Sequence, residues 1–128
     1  MQPGIDHLVV GAADLETGRR QVEAHLGVAL APGGHHDHMG THNCLLKLGE
    51  ACYLEVIAID PNVPPPKRPR WFGLDRPETA ERLSAGPSLL TWVVHGIPAA
   101  GVKRSISARL GPPTPMRRGD LRWRLSLA

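Results

Sequence analysis

Glu55 sits inside an almost wholly apolar run, ACYLEVIAI at residues 51–59. Burying a carboxylate in such a run costs several kcal/mol unless it is paired, protonated or bound to a cation. His7 stands in the same relation to its own run, GIDHLVV at residues 4–10. An imidazole nitrogen with a carboxylate oxygen suits a divalent metal such as zinc, manganese, iron, nickel or cobalt, although two ligands are only half a site. Each residue also has a plainer reading. Glu55 could face water at a sheet edge or meet an arginine, and a lone histidine on an apolar face is most often a hydrogen-bonded core residue.

Other residues are weaker candidates. His35, His36 and His38 lie within a Gly-rich stretch, GGHHDHMG at residues 33–40, and His42 follows it, in a spacing that matches no standard zinc-finger pattern. They either capture metal adventitiously or belong to a loop at the border of a cavity, with His42 and Asn43 entering a strand as polar substrate contacts. Tyr53, Trp71 and Trp92 could line an apolar pocket or simply fill the core. Cys44 could be a nucleophile beside Glu55, but nothing in the sequence supplies the cation that would lower its pKa. No phosphate-binding glycine loop, nucleophile elbow or HExxH motif is present.

The elements that must position these residues can be read from periodicity. Residues 4–10 form a first strand, with Ile5, His7 and Val9 on one face. Asp14 is an N-cap, Leu15, Val22 and Leu26 mark a helical face, and Gly27 is the stop; Gly18 weakens the middle of this helix. A short strand is expected at residues 28–31, irregular chain at 33–40, and a hairpin of residues 42–48 and 51–59 around Gly49-Glu50. That turn pairs Lys47 with Cys52 and Cys44 with Glu55, so the two cysteines point to opposite faces and no disulfide is expected. The first sixty residues spell βαβββ.

A Pro-rich connector, DPNVPPPKRPR at residues 60–70, follows. Residues 71–75 pack locally, and 77–83 form a short helix with proline at its first position, stopped by Gly86. The pattern then restarts with a strand at 88–94, a helical stretch at 98–110, and strands at 115–118 and 121–127 around Gly119-Asp120. The restart ends before a fourth strand.

Taken together, IDHLVV, the DLETG helix start, GTHN at residues 40–43, YLEVIAIDP at 53–61 and RWFGLD at 70–75 resemble the glyoxalase-like domain family. That family belongs to the vicinal-oxygen-chelate superfamily, with glyoxalase I, extradiol dioxygenases and bleomycin- or fosfomycin-resistance proteins. The resemblance implies an α+β fold of paired βαβββ modules, here with the second lacking its last strand. The whole chain is then one domain: module one at about 1–60, the connector at 61–87 and an incomplete module two at 88–128. In the superfamily, metal ligands come from the first and fourth strands of each module. On this chain those positions carry His7 and Glu55, with Glu55 as ligand or general base, while Trp92, or Thr91 with a one-residue shift, occupies the matching position of module two.

The resemblance therefore implies a small molecule bound in a sheet-lined cavity, contacted by His42, Asn43, Tyr53 and Trp92. It implies either a divalent metal (zinc, nickel, manganese or iron) serving lyase, isomerase or dioxygenase chemistry, or a metal-free module that sequesters its ligand. The final exposed sheet edge invites a second copy, so either a homodimer completes the cavity or the chain is a shortened version of a longer relative.

Bulk properties agree with such a domain. With 128 residues, 41% of them hydrophobic, the chain can build a real core. The net charge of +3 gathers in clusters at residues 67–70 and 117–124, which we read as solvated surface rather than a nucleic-acid interface. No run is long and apolar enough to cross a bilayer, no signal peptide is evident, and a cytoplasmic location is expected.

Overall fold

A computed structural model describes residues 2–96, 113–118 and 121–126. The chain begins with β1 (Gly4–Gly11), α1 (Leu15–Leu26), β2 (Ala31–His36), β3 (Thr41–Lys47) and β4 (Tyr53–Ile59), the expected βαβββ order. A 3-10 turn (Trp71–Gly73), α2 (Pro77–Ser84), β5 (Ser88–His95), β6 (Pro113–Arg118) and β7 (Leu121–Ser126) follow. Strands β1 to β5 make one mixed sheet in the order β2-β3-β4-β1-β5, in which β1 runs parallel to β4 and β3 antiparallel to both β2 and β4. Ile5–Val94 form one compact unit. The antiparallel β6–β7 pair belongs to a second, with Arg118 opposite Leu121; the Gly119-Asp120 turn expected between them lies outside the described residues. The helix expected at 98–110 lies outside the described residues.

Helix α1 forms where its signals predict. The Asp14 carboxylate accepts from the Thr17 N–H at 2.8 Å, and Gly27 takes a left-handed φ of 72° that lets its N–H reach the Glu23 carbonyl. The helix packs on one face of the sheet, where Ala12, Val22, Leu30, Cys44, Leu54 and Val56 are buried together with Leu8, Val10, Leu15 and Leu46 against them. Each large aliphatic buried here is worth about 1.5–3 kcal/mol. Gly18 is not the weak point its helix propensity implies. A methyl group there would overlap the Ala12 side chain, so glycine is what allows α1 to lie close to the sheet.

Two sequence expectations are corrected. The second strand is not at residues 28–31 but at Ala31–His36, through the glycines, with a bulge between Pro32 and His35. Gly33 is needed in it, because a side chain at that position would collide with Asn43. The β3–β4 register also differs by one residue. Lys47 faces Tyr53, Leu45 faces Glu55 and Cys44 faces Val56, because the turn is longer than two residues: the Leu48 and Gly49 N–H groups both bond the Cys52 carbonyl, at 2.9 and 3.1 Å. A one-residue slip exchanges faces. Cys44 therefore lies on the helix side, away from Glu55, and both cysteines are free thiols.

Candidate functional site

Alternation along β1, β3 and β4 sorts the polar candidates. With α1 covering the face of Leu8, Cys44 and Val56, the opposite face carries His7 and Val9, Thr41 and Asn43, and Tyr53, Glu55 and Ile57. β2 adds His36, which pairs with Thr41. On this face Val9 and Ile57 are fully buried, and His7 lies between Val9 and Ile5, which is 48% exposed. The face thus opens toward the start of β1.

His7 and Glu55 meet there. His7 Nδ1 lies 2.6 Å from Asp6 Oδ1 and Nε2 lies 3.4 Å from Glu55 Oε1. The imidazole stacks on the Tyr53 ring at 4.5 Å and 12°, which fixes its plane. The other carboxylate oxygen, Oε2, accepts from the Asn43 amide at 2.6 Å. Asn43 is itself held: its Oδ1 accepts from the Gly34 N–H at 2.8 Å, and its amide nitrogen lies 3.3 Å from His36 Nε2. His36 Nδ1 meets the Thr41 hydroxyl at 2.9 Å, and Trp71 packs edge-on against the His36 ring at 5.0 Å. The amide orientation is decided by Gly34, which can only donate. Asn43 must then donate through its nitrogen to both Glu55 and His36, leaving Nδ1–H of His36 for Thr41.

The electrostatics follow from this geometry. Burial works against charge on His7, but the hydrogen bonds and negative charges of Glu55 and Asp6 outweigh it, and its pKa stands above the usual 6.5. Burial likewise opposes charge on Glu55, yet the bonds from His7 and Asn43 hold its pKa below the usual 4.5. With Nδ1–H committed to Asp6, His7 directs Nε2 at Glu55 Oε1. A lone pair on each atom would repel, and a second proton on the imidazole or a cation between them relieves that. Two ligand atoms at about 2.1 Å from a tetrahedral ion lie about 3.4 Å apart. The observed separation of 3.4 Å and the nitrogen–oxygen donor set fit a divalent cation, with Asp6 in the outer position that orients a ligating histidine.

Comparison with known proteins bears on what this arrangement is. The glyoxalase-like domain family matches residues 5–128. The chain belongs to the glyoxalase-like domain family. That places it in the vicinal-oxygen-chelate superfamily, as the short motifs of its first half imply. No curated protein and no solved structure matches it.

Against the sequence reading of this glyoxalase-like domain, the structure unites His7, Glu55, Asn43 and Tyr53 on one face. It separates His42, which pairs with Ala58 and points to the other face next to Asp60, because adjacent residues of a strand must diverge. Trp92 lies on β5 and is 60% exposed. Cys44 is buried among aliphatic side chains, and that burial pushes its thiol up to about 11, so it stays protonated at neutral pH. Asp6 and Thr41 were not among the candidates: alternation puts Asp6 on the face opposite His7, and its carboxylate nonetheless reaches His7 Nδ1 at 2.6 Å. His36 was weighed only among the histidines of the glycine-rich stretch, because its strand character depends on pairing with β3.

Proposed function

We propose that this glyoxalase-like domain binds a small oxygen-bearing molecule against the sheet face that carries His7 and Glu55, with a divalent cation held by His7 Nε2 and Glu55 Oε1. The observation that carries the reading is the 3.4 Å separation of those two atoms, an imidazole nitrogen facing a carboxylate oxygen at the spacing of two ligand atoms on one ion. A bound cation would polarise ligand oxygens and stabilise negative charge developing on them. The chain's own groups do the rest. Glu55, kept ionised, serves as that ligand or, in its place, as the general base. Asp6 and Tyr53 fix the ring of His7. Asn43, whose amide nitrogen is engaged by Glu55 and His36, positions Glu55. The turnover this arrangement best suits is the lyase, isomerase or dioxygenase chemistry of the superfamily.

A second reading has its own support. The raised pKa of His7 and the lowered pKa of Glu55 favour a proton in the gap, giving an imidazolium–carboxylate pair that binds a ligand without metal. Calorimetric titration of zinc, nickel, manganese and ferrous iron separates the two. The first reading expects a binding component that disappears in His7→Ala and in Glu55→Gln; equal binding by all three proteins would sink it. We also read the protein as a homodimer, supported by the exposed apolar side chains Leu89, Trp92 and Val94 of β5, at 48%, 60% and 47%. A strictly monomeric mass in solution would remove that reading.

A further inference from the structure

The other face of the sheet holds a second group of ligand-type side chains. His35 and His42 are direct cross-strand neighbours in the β2–β3 pair, so their imidazoles stand side by side, with ring centroids 5.8 Å apart. Asp60 follows β4, where its N–H bonds the Gly40 carbonyl at 2.9 Å and anchors it next to them. Its Oδ1 accepts from the Asn62 N–H at 3.0 Å, which leaves Oδ2 turned to the two histidines. Oδ2 lies 3.1 Å from His35 Nδ1 and 3.9 Å from His42 Nδ1, and one donor atom from each of the three residues falls within 4.8 Å of the others.

Burial makes this more than a surface cluster. The Asp60 side chain is 3% exposed, His42 20% and His35 66%. A buried carboxylate is costly unless a positive charge faces it. The gradient from buried acid to exposed imidazole leaves one side open to solvent, as in sites with three protein ligands and exchangeable water. The observed spacings bracket the roughly 3.4 Å expected between ligand atoms of a tetrahedral ion. Two imidazoles and one carboxylate suit zinc, cobalt, nickel or ferrous iron, whereas magnesium and calcium prefer all-oxygen sets.

We propose that His35, His42 and Asp60 form a second site, distinct from His7 and Glu55, that takes a divalent transition cation of the zinc type through His35 Nδ1, His42 Nδ1 and Asp60 Oδ2. Strand alternation puts the two sites on opposite faces, because His42 and Asn43 are consecutive in β3. A cation here links the β2–β3 hairpin to the chain after β4, so binding and folding stability are coupled.

Zinc titrated into the full chain tests this, with His7→Ala as the starting variant so that the first site is disabled. His7→Ala is expected to bind one equivalent of zinc, with a raised unfolding midpoint. Adding His35→Ala or His42→Ala should weaken that binding roughly tenfold or more, since even outer partners of metal ligands cost 10–100-fold. His35 is largely exposed, so His35→Ala keeps the metal-free fold, and metal-free unfolding midpoints separate loss of ligand from loss of structure. Imidazole nitrogen spectra should show Nδ1 of both His35 and His42 becoming ligands. Zinc binding unchanged by either substitution, zinc signals on other histidines alone, or complete loss of binding in His7→Ala would each overturn the second site.

Discussion

Glu55 was conspicuous in the sequence for a physical reason: a charged side chain inside an apolar run demands a partner, and any partner constrains where it can lie. The structure gives it three, directly or through Asn43, and none of their identities follows from composition. His7 was legible by the same argument. The rest of the network was not, because it depends on a register that short-range signals do not fix. Removing one member of the pair should be costly. Glu55→Ala leaves His7 and Asn43 facing an empty position, and an uncompensated buried group costs about 3–5 kcal/mol; denaturant unfolding reads this directly.

The pair also predicts a pH window for the metal-free protein. Glu55, with its pKa lowered, contributes stability above 4.5 that is lost as pH falls through its folded value. His7, with its pKa raised, contributes stability below 6.5 that is lost as pH rises through its folded value. The pair thus stabilises most between about 4.5 and 6.5. Unfolding midpoints of His7→Gln should show a flatter profile on the alkaline side; an unchanged profile would contradict the pairing. Cys44 offers an independent check of burial. Its thiol, at about 11, should react with an alkylating reagent at neutral pH far more slowly than Cys52 in the folded protein, with the difference vanishing on unfolding.

Among the elements, α1 was read correctly because every signal in it is local: the Asp14 cap, the spacing of apolar residues and the Gly27 stop. The role of Gly18 was not legible, since it is set by contact with Ala12 across the packing interface. Gly18→Ala should therefore destabilise the protein by about 1–3 kcal/mol, the usual cost of overpacking, although alanine is the better helix former. A stabilised variant would show that the helix has room. The β2 strand and the β3–β4 register were misread for a common reason. Gly33 and Gly34 suppress strand propensity while serving the bulge, and Gly49-Glu50 mimics a two-residue turn inside a longer one. Gly33→Ala should disturb the Asn43 amide, weakening both stability and whatever depends on Glu55.

In the molecule as a whole, element order was written in the sequence, whereas sheet order was not. The placement of β5 beside β1, with the side chains of Leu90 of β5 and Leu83 of α2 packed over Gly11, rests on contacts between residues far apart in the chain. The sheet is buried on both sides at its middle: neighbours Val56 and Ile57 point to opposite faces and are both 0% exposed. Ile57→Ala should cost about 2–5 kcal/mol. If the two sides of the sheet form one cooperative unit, that loss appears as a single shifted transition rather than as a second one.

The most direct test of the central claim, that His7 and Glu55 form one charge-bridged site, is the titration of His7 followed by its imidazole resonances in the metal-free protein, with Glu55→Gln alongside. The account predicts a His7 pKa above 6.5 that drops when the Glu55 charge is removed. A His7 that titrates at the same pH in both proteins would contradict it.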